Sequence, residues 1–232
     1  MKKLAFFVEG LTEQLFVKEL LTEIAGAKNI TIEDIKFSSS KDKSKLFQII
    51  GKSNTGNSQY YVLVIDCSND SRVQSAVIES HEKLVKNGYS KILGLRDIYP
   101  KTHTDLPAIK RVIKYGIPTK PIPTDILLAV TEIESWFMAE YLHFEKIDSR
   151  LTHSLIKTNF LHDLINDNVE MIIHPSAELH KIYSSVGKKY AKKTKTISRT
   201  VKSLDYSHIY LTLIGRVNHL KTLIGHIESF LS

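Results

Sequence analysis

The chain is poor in cysteine. Cys67 is the single thiol in 232 residues, which excludes an internal disulfide and any zinc site built from a Cys cluster. Long apolar runs are also missing. No stretch approaches the ~18 consecutive apolar residues of a membrane span. The apolar stretch after the first lysines, Leu4 to Val8, is too short for a secretory signal core. There is no P-loop and no G-x-G-x-x-G, so the chain carries no evident ATPase of its own. Ten histidines are scattered without an H-E-x-x-H or a ligand-like pair. Internal repeats and low-complexity tracts are absent. Acids are outnumbered, 25 Asp and Glu against 32 Lys and Arg, for a net charge of +7. A basic balance favours an anionic partner: nucleic acid, a phosphorylated ligand or an acidic surface. Together these absences predict a soluble cytoplasmic protein without membrane association.

What is present is a core. Hydrophobic residues make up 42% of the chain, enough for one large domain or an α/β domain with an appendage. "LAFFV" (4–8) reads as a buried parallel strand and Thr12 to Ile24 as a helical face. "ITIEDIKF" (30–37) alternates like a half-exposed strand. "KSKLFQIIGK" (43–52) reads as a short helix. "YYVLVID" (60–66) is the clearest strand, and 71–87 a helix stopped by Gly88. "KILGLRD" (91–97) is a strand, "LPAIKRVIKYG" (106–116) a helix ended by glycine, and "GIPTKPIPTD" (116–125) a stiff connector. "DILLAVTEIE" (125–134) is a fifth strand running into the helix "SWFMAEYL". Beyond about 141 the pattern is helical, in "SLIKTNFLHDLI" (154–165) and "IYLTLIGRVNHLKTLIGHIESFL" (209–231). Strand and helix alternate at a spacing that predicts an α/β fold. Its sheet is mostly parallel with helices on both faces, over residues 1–140, and a helical, basic region, 141–232, packs on it.

Acids stand where the strands end. The first apolar strand runs into Glu9, with Glu13 one helical turn later. The third ends in Asp66, followed by Ser68 and Asp70. The fourth ends in Asp97, and the fifth in Glu132 and Glu134. In a parallel sheet these ends share one edge, where ligands bind. Clustered carboxylates repel unless a cation or a basic partner neutralises them, and hard oxygen ligands suit Mg²⁺ or Mn²⁺. The competing explanation is that acids mark strand ends and helix starts because the helix dipole favours them there.

"FFVEGLTE", followed about fifty residues later by "VLVID", resembles a Toprim domain, the metal-binding fold of topoisomerases, primases and OLD-type (overcoming lysogenization defect) nucleases. The "EGxTE" form resembles the OLD-like branch. "GLRDIYP" and "EIESWFMAE" resemble a little-characterised bacterial Toprim-like group. The resemblance covers roughly residues 3 to 140. It implies a divalent-metal-dependent nuclease acting on DNA or RNA, a phage-defence effector working with an ATPase partner, and is compatible with a homodimer. Glu9, Glu13 and Asp66 would bind one metal, with Asp97, Glu132 or Glu134 assisting a second. The family expects Asp-x-Asp after its central strand. Here Ser68 holds the place of the second acid, and Asp70 would have to substitute.

A basic stretch, "KIYSSVGKKYAKKTKTISRTVKSL" (181–204), carries Lys181, Lys188, Lys189, Lys192, Lys193, Lys195, Arg199 and Lys202 and no acid. Such a segment suits a phosphate backbone. The alternative is a solvated helix face. Tyr183 and Tyr190 would stack on bases or pack inside. By the resemblance, a lysine downstream of the acids stabilises charge on the scissile phosphate, with Lys188, Lys189, Lys192 and Lys193 as candidates. His103, His174 and His180 are expected at the surface, Trp136 in the core, and Cys67 packed at its strand end. Two other readings stay open: a non-catalytic nucleic-acid or partner-binding module with a degraded site, and a nucleotidyl or phosphoryl transferase on the same sheet edge.

Overall fold

The computed structural model describes residues 1–37, 47–53, 57–69 and 72–232. The chain runs β1 (Lys2–Val8), α1 (Leu11–Ala25), β2 (Ile30–Phe37), β3 (Phe47–Ser53), β4 (Tyr60–Asp66), α2 (Arg72–Lys86), β5 (Lys91–Asp97), α3 (Leu106–Lys114) and β6 (Thr124–Ala129). Helices follow: α4 (Glu134–Ala139), α5 (His143–Ile147), α6 (His153–Phe160), α7 (Pro175–Ser184), α8 (Thr194–Ser203), α9 (Tyr206–Leu211) and α10 (Asn218–Leu231). The fold is α/β with a mostly parallel six-stranded sheet in the order β3-β2-β4-β1-β5-β6. β1 pairs in parallel with β4 and β5, and β2 in parallel with β4. Two compact units result. One comprises residues 1–96, 107–128 and 225–232, the other 97–106 and 129–224. Among the described residues, no helix is long and apolar enough to cross a membrane.

In the first unit the apolar run of β1 is buried on both faces, as a central parallel strand must be: Leu4 to Val8 are all inaccessible. Ala5 and Phe7 join Ile65 and Ile92 under Val73, Ala76 and Val77 of α2. Gly94 in β5 leaves the room this packing needs, because a Cβ there would meet Val73 Cγ1 at 3.0 Å and Ile126 Cγ1 at 3.2 Å. α1 is tied to the neighbouring strands by polar contacts. Gln14 Nε2 donates to the carbonyls of Ile35 and Val64, and Lys18 meets Asp34 at 2.8 Å.

Several elements differ from the sequence reading. Residues 47–52, expected within a helix, and Ser53, expected in a loop, form the strand β3, antiparallel to β2, while 43–46 lie outside the described residues. Pairing satisfies one whole edge of β2, a gain that local helical spacing does not register. β2 is more buried than its alternation suggested, with Thr31 and Asp34 buried alongside its isoleucines. The fifth expected strand stops at Ala129 rather than Glu134, because Thr131 takes a left-handed backbone (φ 61°) and Glu134 opens α4. Leu161, at φ 58°, ends α6 early. The long C-terminal helical pattern divides into α9, a 3₁₀ turn at Leu213–Gly215, and α10.

Candidate functional site

Val8 and Asp66 are register partners at the carboxyl ends of β1 and β4, and the Cys67 amide continues the ladder to the Val8 carbonyl at 2.9 Å. Asp66 closes β4 opposite Val8, and Glu9 follows Val8 at the same edge of the sheet, one residue further along. Both carboxylates are buried. Both act on the intervening Cys67 thiol, which is pushed up to about 12. Burial is the main cause, the Asp66 charge comes next, and Glu9 adds to them against an opposing effect of Arg72. The thiol stays protonated and packed, as expected of a strand-end cysteine.

Asp66 is held by its own loop. The Ser68 amide donates to Asp66 Oδ1 at 2.7 Å, which turns the chain so that Ser68 adopts a left-handed conformation, φ 58°. This is the local meaning of Asp-x-Ser here: the backbone of Ser68 orients the acid. A Ser68→Gly variant relieves the left-handed strain and keeps the amide. Its stability should rise by up to about 1 kcal/mol in denaturant titrations. A loss of activity despite that gain would assign a role to the hydroxyl.

Glu13 serves the start of α1. Its Oε2 accepts from the Gly10 amide at 3.0 Å, forming a capping interaction at the helix N-terminus. Gly10 is extended, a conformation open to any residue, and a Cβ there would meet Glu13 Oε2 at an ordinary 3.6 Å, so this contact does not require glycine. Glu9 Oε1 lies 4.0 Å from Nε of half-buried Arg96 on β5. The sequence reading missed Arg96, which stands by Glu9, and Arg72, whose charge acts on the Cys67 thiol. Their signal was available: "GLRD" sets an arginine one residue before a strand-end acid, and Arg72 opens α2. Asp70 lies outside the described residues.

Among the described residues, no group of three or more His, Cys, Asp or Glu side chains could hold a metal ion. Mg²⁺ sites at phosphates need less, one or two carboxylates plus substrate oxygens. Glu9 and Asp66, an oxygen-only pair at a parallel-strand edge, fit that partial kind of site.

The second unit holds the other acids. Asp97 Oδ1 accepts from the Ile133 amide at 2.9 Å, so it caps the turn into α4. Glu132 accepts from Ser176 twice, at its amide and its hydroxyl, both 2.9 Å; Ser176 follows Pro175 at the N-terminus of α7, where amides lack helical partners. Glu134 is fully buried. Its Oε1 accepts from the Tyr190 hydroxyl at 2.7 Å, and its Oε2 has no hydrogen-bond partner. Lys192 Nζ stands 3.6 Å from Glu132 and 3.9 Å from Glu134. Burial pushes the Glu134 carboxyl above the usual range and the Glu132 charge adds to this, while Lys192 and the Tyr190 hydrogen bond oppose it. Glu132 and Glu134 thus meet protein donors within their own unit.

The basic stretch divides by role. Tyr190 and Tyr183 are buried with rings 6.3 Å apart, so of the two alternatives they pack rather than stack on bases. Arg199 lies over the Tyr183 ring and donates to the Lys189 carbonyl. Lys181 pairs with Glu178 at 2.6 Å. Lys189, Lys193, Lys195 and Lys202 are exposed and Lys188 half-buried. His103, His174 and His180 are exposed and Trp136 is wholly buried, as expected. The sequence reading also missed Glu140, a buried carboxylate held by the Leu142 and His143 amides and by His208 Nδ1 at 3.3 Å.

No family model matches the chain, and no curated protein does. Among solved structures, it is similar to the crystal structure of a protein described as a cell surface hydrolase from Lactobacillus plantarum WCFS1, at 9% identity and a TM-score of 0.36, over 97% of each chain.

Proposed function

We propose that the protein is a Mg²⁺- or Mn²⁺-dependent phosphodiester hydrolase acting on DNA or RNA. The observation that carries this reading is the pair of buried carboxylates, Glu9 and Asp66, at adjacent carboxyl ends of the central parallel strands with Arg72 and Arg96 beside them. The two acids would hold the ion together with a phosphate oxygen of the substrate. When bound, that ion supplies charge neutralisation at phosphorus and a water of lowered pKa. The chain's own contributions are positional. Ser68 holds Asp66, and the register of β1 against β4 sets the strand end that Glu9 follows. Arg72 and Arg96 offer planar donors suited to phosphate oxygens. The Toprim resemblance supports the same reading. Under it, a role in phage defence would draw ATP-driven control from a partner protein, since this chain has no P-loop.

The exposed lysines of 181–202 are the proposed nucleic-acid contacts. Replacing Lys188, Lys189 and Lys193 together with Gln should weaken binding to duplex DNA. It should also flatten the log–log salt dependence, by up to roughly 0.9 per lost phosphate contact, in fluorescence-anisotropy titrations at several salt concentrations. Unchanged affinity and slope would make this stretch a solvated surface.

The competing reading is a binding module in which the arginines simply neutralise the two acids. Calorimetric titration with Mn²⁺, with and without a non-cleavable oligonucleotide, separates the two. Metal binding that tightens with the oligonucleotide supports the hydrolase, and no metal uptake at millimolar Mn²⁺ supports the module. Incubation with plasmid, single-stranded DNA and total tRNA in Mn²⁺ identifies the substrate.

A further inference from the structure

In the first unit, the two faces of β4 are covered unequally. Val62 and Val64 on one face are inaccessible, whereas Tyr61 and Leu63 on the other are only half-buried. The gap is a cavity of about 370 Å³, within the ~300–1,000 Å³ of small-molecule sites. One wall is a stripe of α2, Ser80, Lys83 and Leu84, spaced i, i+3 and i+4, continued by Asn87 in the turn just past the helix. The floor is one strand face, Tyr61, Leu63 and Ile65, with Ile35 of β2 beside it. Tyr89, from the turn after α2, closes one side, and Lys3 lies at the mouth.

The lining has an apolar body and a cationic rim. Ile35, Leu63, Ile65 and Leu84 offer only hydrocarbon. Lys3 is held in place by donating to the Asn87 carbonyl at 3.0 Å, with its ammonium 5.9 Å from the Tyr89 ring centre. Lys83 projects from the exposed side of the α2 stripe. Among the described residues, no Asp or Glu lines the cavity. Glu33, beside Tyr61, is hydrogen-bonded to its phenol and paired with Lys52 at 3.6 Å. Burial pushes the phenols of both Tyr61 and Tyr89 upward, so they remain neutral donors. A strand face opposing a helix stripe makes a slot, which suits a flat body.

We propose that this cavity binds a small organic monoanion with a flat apolar body, its ring on the β4 face and its charged group between Lys3 and Lys83. The site is separate from the Glu9–Asp66 edge and does not depend on the hydrolase reading. Naphthalene-2-carboxylate is the probe and neutral naphthalene-2-methanol its control. Calorimetry should show one saturable site that prefers the carboxylate at least tenfold. Lys83→Glu should remove that preference while leaving binding of the alcohol unchanged. Ser80→Trp and Leu63→Phe, which fill the slot from its two sides, should each abolish binding of both compounds. Melting curves identify the variants that are folded. The proposal is overturned if the carboxylate does not bind at millimolar concentration, if acid and alcohol bind equally, or if binding survives in a folded slot-filling variant.

Discussion

Glu9→Gln should abolish metal-dependent cleavage while leaving the fold intact. The substitution keeps the shape and hydrogen-bonding capacity of the side chain and removes only its charge. Glu9 directly follows a strand whose last residue, Val8, is in register with Asp66, so its carboxylate has a fixed origin at that edge. Losing one of two ligands at a site that also relies on substrate oxygens should cost roughly 10²–10³ in rate, the equivalent of about 3–4 kcal/mol of transition-state stabilisation. Without metal, the variant should melt at the wild-type temperature or slightly above it, because one of two neighbouring buried negative charges is gone. Added Mn²⁺ should raise the melting temperature of the wild type and fail to raise that of the variant. If Glu9 serves only as a partner for Arg96, a different pattern appears: stability falls by ~0.2–1 kcal/mol and cleavage is undiminished. That outcome, with metal-induced stabilisation surviving in the variant, would overturn the ligand assignment.

The second large effect is expected in the cluster around Glu134. Tyr190→Phe removes the one hydroxyl that reaches Glu134 Oε1, in a carboxyl group whose other oxygen already lacks a hydrogen-bond partner. Hydrogen bonds to charged groups contribute ~1.5–3 kcal/mol, so the variant should lose about that much stability, or roughly 3–12 °C in melting temperature for a chain of this size. Glu134→Gln behaves differently. The folded carboxyl is raised above its unfolded value, so the folded state binds more protons over that interval. The group's contribution is therefore fully present below the unfolded value near ~4.3 and is lost as pH rises through the folded value. Elsewhere in the protein, Asp148, Asp163, Glu178 and Asp205 are lowered by their partners and slope the other way, so the informative quantity is the difference between variant and wild type. That difference should favour Glu134→Gln increasingly as pH rises above the unfolded value, and should level off once the folded carboxyl has ionised. A difference that is flat with pH would show that Glu134 ionises normally despite its burial.

These acids show how a strand-end carboxylate can serve two purposes. Glu13 and Asp97 stand where a metal-site reading and a helix-start reading both place acids, and each accepts a backbone amide at a helix start. Glu132 is held by the first turn of α7, a segment more than forty residues away in sequence. No spacing rule links the two, because the contact is made by the packing of helices rather than by a period along the chain. Tyr190 and Lys192 are similar. As sequence they belong to a basic, tyrosine-containing stretch that would follow a phosphate backbone. In the fold, Tyr190 turns inward to a buried carboxylate and Lys192 covers it, while Lys189, Lys193 and Lys195 keep the exposed positions.

The central sheet was determined by the sequence itself. β1, β4 and β5 are largely apolar runs, a pattern suited to the interior of a parallel sheet, and parallel strands bring their carboxyl ends to one edge. The shared edge that carries Glu9 and Asp66 was therefore legible from the order of elements. So was the stop of α2 at Gly88, whose positive φ suits a residue without a Cβ. Tertiary structure alone decided the rest. Residues 47–53 became a strand because β2 had an edge to satisfy, and that gain outweighs a short segment's local preference. The break at Thr131 moved Glu134 off the sheet and into a helix, since a left-handed residue cannot continue an extended chain. The partners of Glu132 and Glu134 and the slot beside α2 came from side chains meeting across long sequence separations. Those contacts depend on how helices and strands lie against one another, a variable with no period for the sequence to display.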